Sequence, residues 1–145
     1  MARIGILEDN TRIAKFCATY LQFEGHEVII YEHPRACLAA LLSQPESSES
    51  AQAAHSLPID LLILDLQLPD ISGIQVLQSL RSYPQTQALP LIFCTAATST
   101  EIVRAKRVAP DAEFIEKPFK LQTVISAVRT ALSKPDSTIS ETSDE

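Results

Sequence analysis

Residues 61–73 read Leu61-Leu62-Ile63-Leu64-Asp65-Leu66-Gln67-Leu68-Pro69-Asp70-Ile71-Ser72-Gly73. Four apolar residues stop at a carboxylate, and a turn-rich stretch then enters a helical pattern at Ile74, Val76, Leu77 and Leu80. A short, wholly apolar run predicts a strand buried on both faces, as in a parallel sheet. The same design recurs outward along the chain. Ile4-Gly5-Ile6-Leu7 runs into Glu8-Asp9, Leu91-Ile92-Phe93-Cys94 ends at Thr95, and Phe114-Ile115-Glu116 ends at Lys117-Pro118. An open parallel sheet delivers all its strand carboxyl ends to one edge, where ligands bind. Three carboxylates, a hydroxyl and an amine, far apart in sequence, are therefore predicted to meet.

Strand and helix patterns alternate five times. The first strand covers 3–7, and Asn10 caps a helix to about Glu24, with Gly25 as its stop signal. A second strand, Glu27 to Tyr31, precedes a helix from about Pro34 to Leu42. The helix after Gly73 ends near Pro84, the next runs around Glu101 to Val108, and a fifth strand covers about 113–116. The last helix spans about Leu121 to Leu132, with Val124, Ile125 and Val128 on one face. The second strand ends in Tyr31-Glu32-His33-Pro34, without the chemistry of the others, which suits the edge of a sheet ordered 2-1-3-4-5. The fold class is thus α/β, a doubly wound (βα)5 domain with five parallel strands.

Composition bounds the rest. At 145 residues, 46% hydrophobic and 21% charged, the chain is one ordinary soluble domain. It shows neither a bilayer-length apolar stretch nor a signal peptide's apolar core, so a cytoplasmic location without membrane insertion is expected. Cys17, Cys37 and Cys94 lack CxxC spacing and read as small core residues. The net charge of −6 argues against direct nucleic-acid binding. With glycine only at 5, 25 and 73, neither GxGxxG nor a P-loop can be written. Residues 1–132 form the domain, 43–58 read as a surface insertion before the third strand, and 133–145 as a disordered tail. The histidines, at 26, 33 and 55, have no metal-ligand spacing.

Glu8, Asp9 and Asp65 crowded together raise one another's pKa. A divalent cation removes that penalty, and an all-oxygen set suits Mg²⁺. Lys117 adds a fixed positive charge and Thr95 a hydroxyl for an anion. A carboxylate is also a competent nucleophile toward phosphorus. Asp65, alone at its strand end, is the natural nucleophile, and the Glu8-Asp9 pair the natural metal holder.

These residues resemble the receiver domain of two-component response regulators, a CheY-like family with a flavodoxin-like fold. The resemblance covers about residues 2–132. Its marks are Glu8-Asp9, Asp65 within Asp-Leu-Gln-Leu-Pro-Asp-x-x-Gly, Thr95-Ala96 and Lys117-Pro118-Phe119. The resemblance implies that Asp65 accepts a phosphoryl group from a sensor histidine kinase or histidine phosphotransfer protein. It implies Mg²⁺ ligation by Asp9, Asp65 and the backbone carbonyl of Gln67, with Glu8 acting partly through water. Lys117 would pair with the acyl phosphate, Thr95-Ala96 would line the phosphate, and Lys117-Pro118 would be cis. Phe114 holds the place of a switch aromatic that turns inward as Thr95 moves. That motion would change the face of the fourth helix, fifth strand and fifth helix, where a phosphorylation-dependent dimer or another protein target would bind. Two departures stand out: Glu8 replaces the commoner Asp, and Phe114 lacks a Tyr hydroxyl. Gln67 and Ala97 occupy positions where the family tunes phosphate lifetime.

Each residue also has an ordinary reading. Asp9 alone suits a helix N-terminus, Thr95 a cap and Lys117 an exposed lysine; their joint placement favours the site, while Phe114 is read equally as plain core or as a switch. On the first helix, Ile13, Phe16 and Tyr20 form an apolar row beside the core stripe Ala14, Cys17, Ala18 and Leu21. Either Ile13 and Phe16 dock the phosphodonor, or the helix is broadly buried. Two other functions compete with the signalling module. An aspartate-nucleophile phosphatase resembling the haloacid dehalogenases needs Asp-x-Asp, but Gln67 stands at the second acid. A scaffold that never takes phosphate conflicts with the intact acid, hydroxyl and amine set. No effector is recognisable after residue 132, so output is expected through protein contacts unless the sequence is a fragment of a longer chain.

Overall fold

A computed structural model describes residues 2–42, 57–68, 71–96 and 98–133. The strands are β1 (Arg3–Leu7), β2 (Glu27–Tyr31), β3 (Leu61–Leu64), β4 (Leu91–Thr95) and β5 (Glu113–Glu116). Between and after them come α1 (Thr11–Phe23), α2 (Pro34–Leu42), α3 (Gly73–Ser82), α4 (Ser99–Val108) and α5 (Leu121–Ser133). All pairings are parallel and the order is β2-β1-β3-β4-β5, as the apolar runs predict.

The alternation of side chains along each strand divides the core in two. Leu62, Leu64, Leu91 and Phe93 face α2, α3 and α4. Leu61, Ile63, Ile92 and Cys94 face α1 and α5, which cover the opposite side. β3 and β4 are buried throughout and form the rigid middle. Neighbouring ends are fixed in register, with Leu7 beside Leu64 and Leu64 beside Phe93. The three cysteines are free and buried.

The helix starts follow local polar signals. The Asn10 side chain accepts from the backbone N–H groups of Arg12 and Ile13, and Ser72 forms a reciprocal capping box with Gln75. Gly25 follows α1 with φ +98°, a conformation glycine adopts without strain. Two expectations are corrected. α4 begins at Ser99 and not near Glu101, because the Thr98 side chain caps it by accepting from Glu101 N–H. The buried stripe of α5 is Val124, Val128 and Ala131, leaving Ile125 only half-buried. α3 stops at Ser82, and Tyr83 turns extended, as a residue before proline prefers.

Residues 57–60 enter β3 at the edge away from the strand carboxyl ends. There Arg3 N–H donates to Asp60 at 2.8 Å and its guanidinium pairs with the same carboxylate at 3.0 Å. Of the segment read as an insertion, 43–56 lies outside the described residues, as do 134–145 of the tail.

Gly73 lets the start of α3 lie against the chain leaving β3. Its N–H donates to Leu66 C=O at 2.8 Å, and an added Cβ would overlap the Asp65 carbonyl oxygen and Leu66 Cα. Those neighbours are backbone and cannot rotate aside. Gly73→Ala should therefore cost about 1–3 kcal/mol, as overpacking does, lowering the urea midpoint at constant slope. An unchanged midpoint would show that this approach is not tight.

Candidate phosphoryl and metal site

The sheet edge beyond β1, β3, β4 and β5 carries the predicted cluster. Asp65 N–H donates to Leu7 C=O at 3.1 Å, continuing the β1–β3 ladder by one step, so Glu8 and Asp65 leave the sheet together. On the other side, Thr95 pairs with Glu116, and Lys117 N–H donates to Thr95 C=O at 3.1 Å. Glu8 and Asp65 are each 6% exposed and Thr95 is fully buried, whereas Asp9 is exposed.

Lys117 crosses this edge. Its Nζ donates to Glu8 Oε1 and to Asp65 Oδ2, both at 2.9 Å. The remaining oxygens are also engaged: Asp65 Oδ1 accepts Gln67 N–H at 3.0 Å, and Glu8 Oε2 accepts Asn10 N–H at 3.1 Å. These local loops hold both carboxylates at fixed angles. The Lys117-Pro118 bond is cis, as the resemblance implies.

Electrostatics follows from this geometry. Burial pushes the Glu8 carboxyl up and the Asp65 charge adds to that, against the hydrogen bonds of Lys117 and Asn10. Burial disfavours the Lys117 ammonium, but its hydrogen bonds to Glu8 and Asp65 outweigh that and raise its pKa. One ammonium thus serves two nearly buried carboxylates. Oxygens of Glu8, Asp9 and Asp65 lie within 4.8 Å of one another, a hard all-oxygen set able to hold a divalent cation.

The predicted site residues separate into three places. Glu8, Asp9, Asp65 and Lys117 cluster together, and Thr95 and Gln67 are joined to them through backbone hydrogen bonds. Ala96, Pro118 and Phe16, all exposed, and half-buried Ile13 instead line an apolar groove of about 550 Å³ together with Lys117. Phe114 stands under α4, half-buried, its ring 5.4 Å from Phe93. Ala97 lies outside the described residues.

Along α1, Ala14, Cys17, Ala18 and Leu21 are buried, Ile13 is half-buried against the core, and Phe16 is 48% exposed with Tyr20 edge-on at 5.1 Å, so the second row is only partly covered. Arg12 and Phe119 also line the groove. Sequence reasoning gave them no role, although Phe119 stands within the Lys-Pro-Phe mark.

Residues 4–129 match the family described as the response regulator receiver domain. The chain is 32% identical over 139 residues to the phosphate regulon transcriptional regulatory protein PhoB of Rhizobium meliloti, covering 94% of this chain and 55% of that protein. It is 31% identical over 134 residues to a probable transcriptional regulatory protein of Picosynechococcus, covering 92% and 50%. Among solved structures, the non-phosphorylated HemR receiver domain of Leptospira biflexa superposes with TM-score 0.74 at 25% identity, covering 94% of this chain and 98% of that one. The chain spans about half the length of these curated relatives.

Removing the bridging ammonium leaves two buried carboxylates facing each other. Lys117→Met should lose about 2–3 kcal/mol near neutral pH, somewhat below the usual cost of breaking a buried pair because the site is not wholly closed. Without Lys117 the Glu8 carboxyl, already pushed up by burial, is raised further, so the folded variant binds more protons than its unfolded chain. Its deficit should shrink as pH falls toward the carboxylate range and grow as pH rises. Chemical denaturation of both proteins over that range checks this, and a pH-independent deficit would contradict it.

Proposed function

The chain belongs to the response regulator receiver family, and on that footing we propose that Asp65 accepts a phosphoryl group from the phosphohistidine of a sensor histidine kinase or phosphotransfer protein. The observation that carries this reading is Lys117 bonded at 2.9 Å to both Asp65 and Glu8, within a cluster of three carboxylates. An Asp65 oxygen attacks phosphorus, the P–N bond to the donor imidazole breaks with its electron pair, and an acyl phosphate forms. Loss of charge at the carboxylate frees Lys117 to follow the phosphoryl oxygens. Thr95, at the adjacent strand end, offers its hydroxyl to the same group.

The donor set fits Mg²⁺: Asp9 and Asp65 with the Gln67 carbonyl would hold it directly, and Glu8 partly through water. When bound, the ion neutralises negative charge shared between the carboxylates and the phosphoryl group. Buried Glu8 is better suited to orienting Lys117, while exposed Asp9 faces the solvent from which the ion arrives.

We read the chain as a signalling module in the cytoplasm, residues 1–132 being the receiver. The phosphatase reading lacks its general acid, since Gln67 occupies that position. No helix among the described residues is long and apolar enough to cross a membrane. The absence of a nucleic-acid surface is proposed for these residues only, because relatives named as transcriptional regulators extend well beyond the matched part. We propose α4, β5 and α5 as the output or dimer face, with Val103 49% exposed on α4.

The groove beside Lys117 supports donor docking. Ile13 and Phe16 would meet an apolar patch around the donor histidine. Phe16→Glu should slow transfer from a phosphohistidine protein about tenfold or more, by loss of a contact worth roughly 1.4 kcal/mol or more. The rate with acetyl phosphate should stay within about twofold. Equal losses with both donors would remove the docking role.

Incubation with Mg²⁺ and acetyl phosphate should add one phosphoryl mass, labile to hydroxylamine. Asp65→Asn and chelation of Mg²⁺ should each abolish the adduct. Undiminished labelling of Asp65→Asn would overturn the assignment, and multiple turnover of phosphate esters would favour the phosphatase.

A further inference from the structure

Phe114 is held from two directions. Its partner across the β4–β5 ladder is Phe93, and the two rings lie 5.4 Å apart at 44°. Phe93 is fully buried and, two residues before Thr95 on β4, projects from the same face of the sheet. On the solvent side, Lys106 of α4 places Nζ 5.7 Å from the Phe114 ring centroid, within cation–π range. Lys106 is exposed, and Phe114 is half-buried. A contact path therefore runs from the strand carrying Thr95, through two rings, to one charge on the surface of α4.

We propose that Lys106 is a positioning residue that holds Phe114 in this orientation and so sets the balance between the two states of the receiver. The inference rests on the reading that Asp65 accepts a phosphoryl group. Phe114 lacks a hydroxyl and cannot be held by a hydrogen bond at its tip, so its orientation depends on packing and on the charge over its face. Lys117 is bonded straight to the Asp65 carboxylate, so the observed arrangement is the one selected by the unmodified carboxylate. An interaction made only in this arrangement opposes the other, and its loss shifts the population toward the state that phosphorylation favours. An exposed cation–π contact changes such an equilibrium by roughly 2- to 5-fold.

Initial rates of Asp65 phosphorylation by subsaturating acetyl phosphate with Mg²⁺ provide the test. Lys106→Met should raise the rate by about 2- to 5-fold, and Lys106→Arg, which keeps a cation over the ring, should keep the wild-type rate. Arg107→Met removes a neighbouring charge from the same helix and controls for attraction of the anionic donor. It should change the rate by less than about 1.5-fold, well under the cation–π effect. In a Phe114→Leu background the Lys106→Met effect should vanish. Equal effects of Lys106→Met and Arg107→Met, or an effect that survives Phe114→Leu, would overturn the inference while leaving Asp65 as acceptor. A wild-type chain that takes no phosphoryl group would overturn both.

Discussion

The ammonium of Lys117, shared between Glu8 and Asp65, is the interaction on which the site depends. Two carboxylates at 6% exposure repel each other and lose hydration, and neither is tolerable without a counter-charge. Lys117 supplies that charge from just past the end of β5, more than a hundred residues from Glu8 in sequence. The sheet makes this possible, because parallel strands in fixed register bring their carboxyl ends to one edge. The backbone loops at Asp65–Gln67 and Glu8–Asn10 then aim the oxygens. The result is an acid-rich edge at which two nearly buried carboxylates share one ammonium.

Much of this was legible in the sequence because both kinds of signal are local. Apolar runs such as Leu61–Leu64 mark buried strands, and the polar residue ending each run marks the edge. Asn10, Gly25 and Pro34 announce helix boundaries by their own backbone preferences. Legibility ended where position depends on contacts across the fold. Thr98 gave α4 an earlier start because its side chain reaches the Glu101 amide. Arg81 of α3 donates to the carbonyls of Thr86 and Leu89 and reaches Asp111, fastening the turn before β4 to the one before β5. No sequence pattern announced that network, since Arg81 of α3 reaches backbone carbonyls and a carboxylate in irregular segments.

The exposed row of α1 illustrates the same limit. Periodicity revealed too many apolar residues for one buried stripe, but not which of them faced water. The fold answers by packing Ala14, Cys17, Ala18 and Leu21 inward and leaving Phe16 beside Pro118 and Phe119. The groove and the acidic cluster share the side chain of Lys117. On the opposite face of the sheet, Phe93 and Phe114 connect the same edge to α4.

The most direct measurement is to transfer phosphoryl from a phosphohistidine donor, trap the acyl phosphate with borohydride, and map the reduced residue by peptide mass spectrometry. The account predicts homoserine at position 65 alone. Reduction at Asp9, at another acid, or at no residue after demonstrated transfer would contradict it.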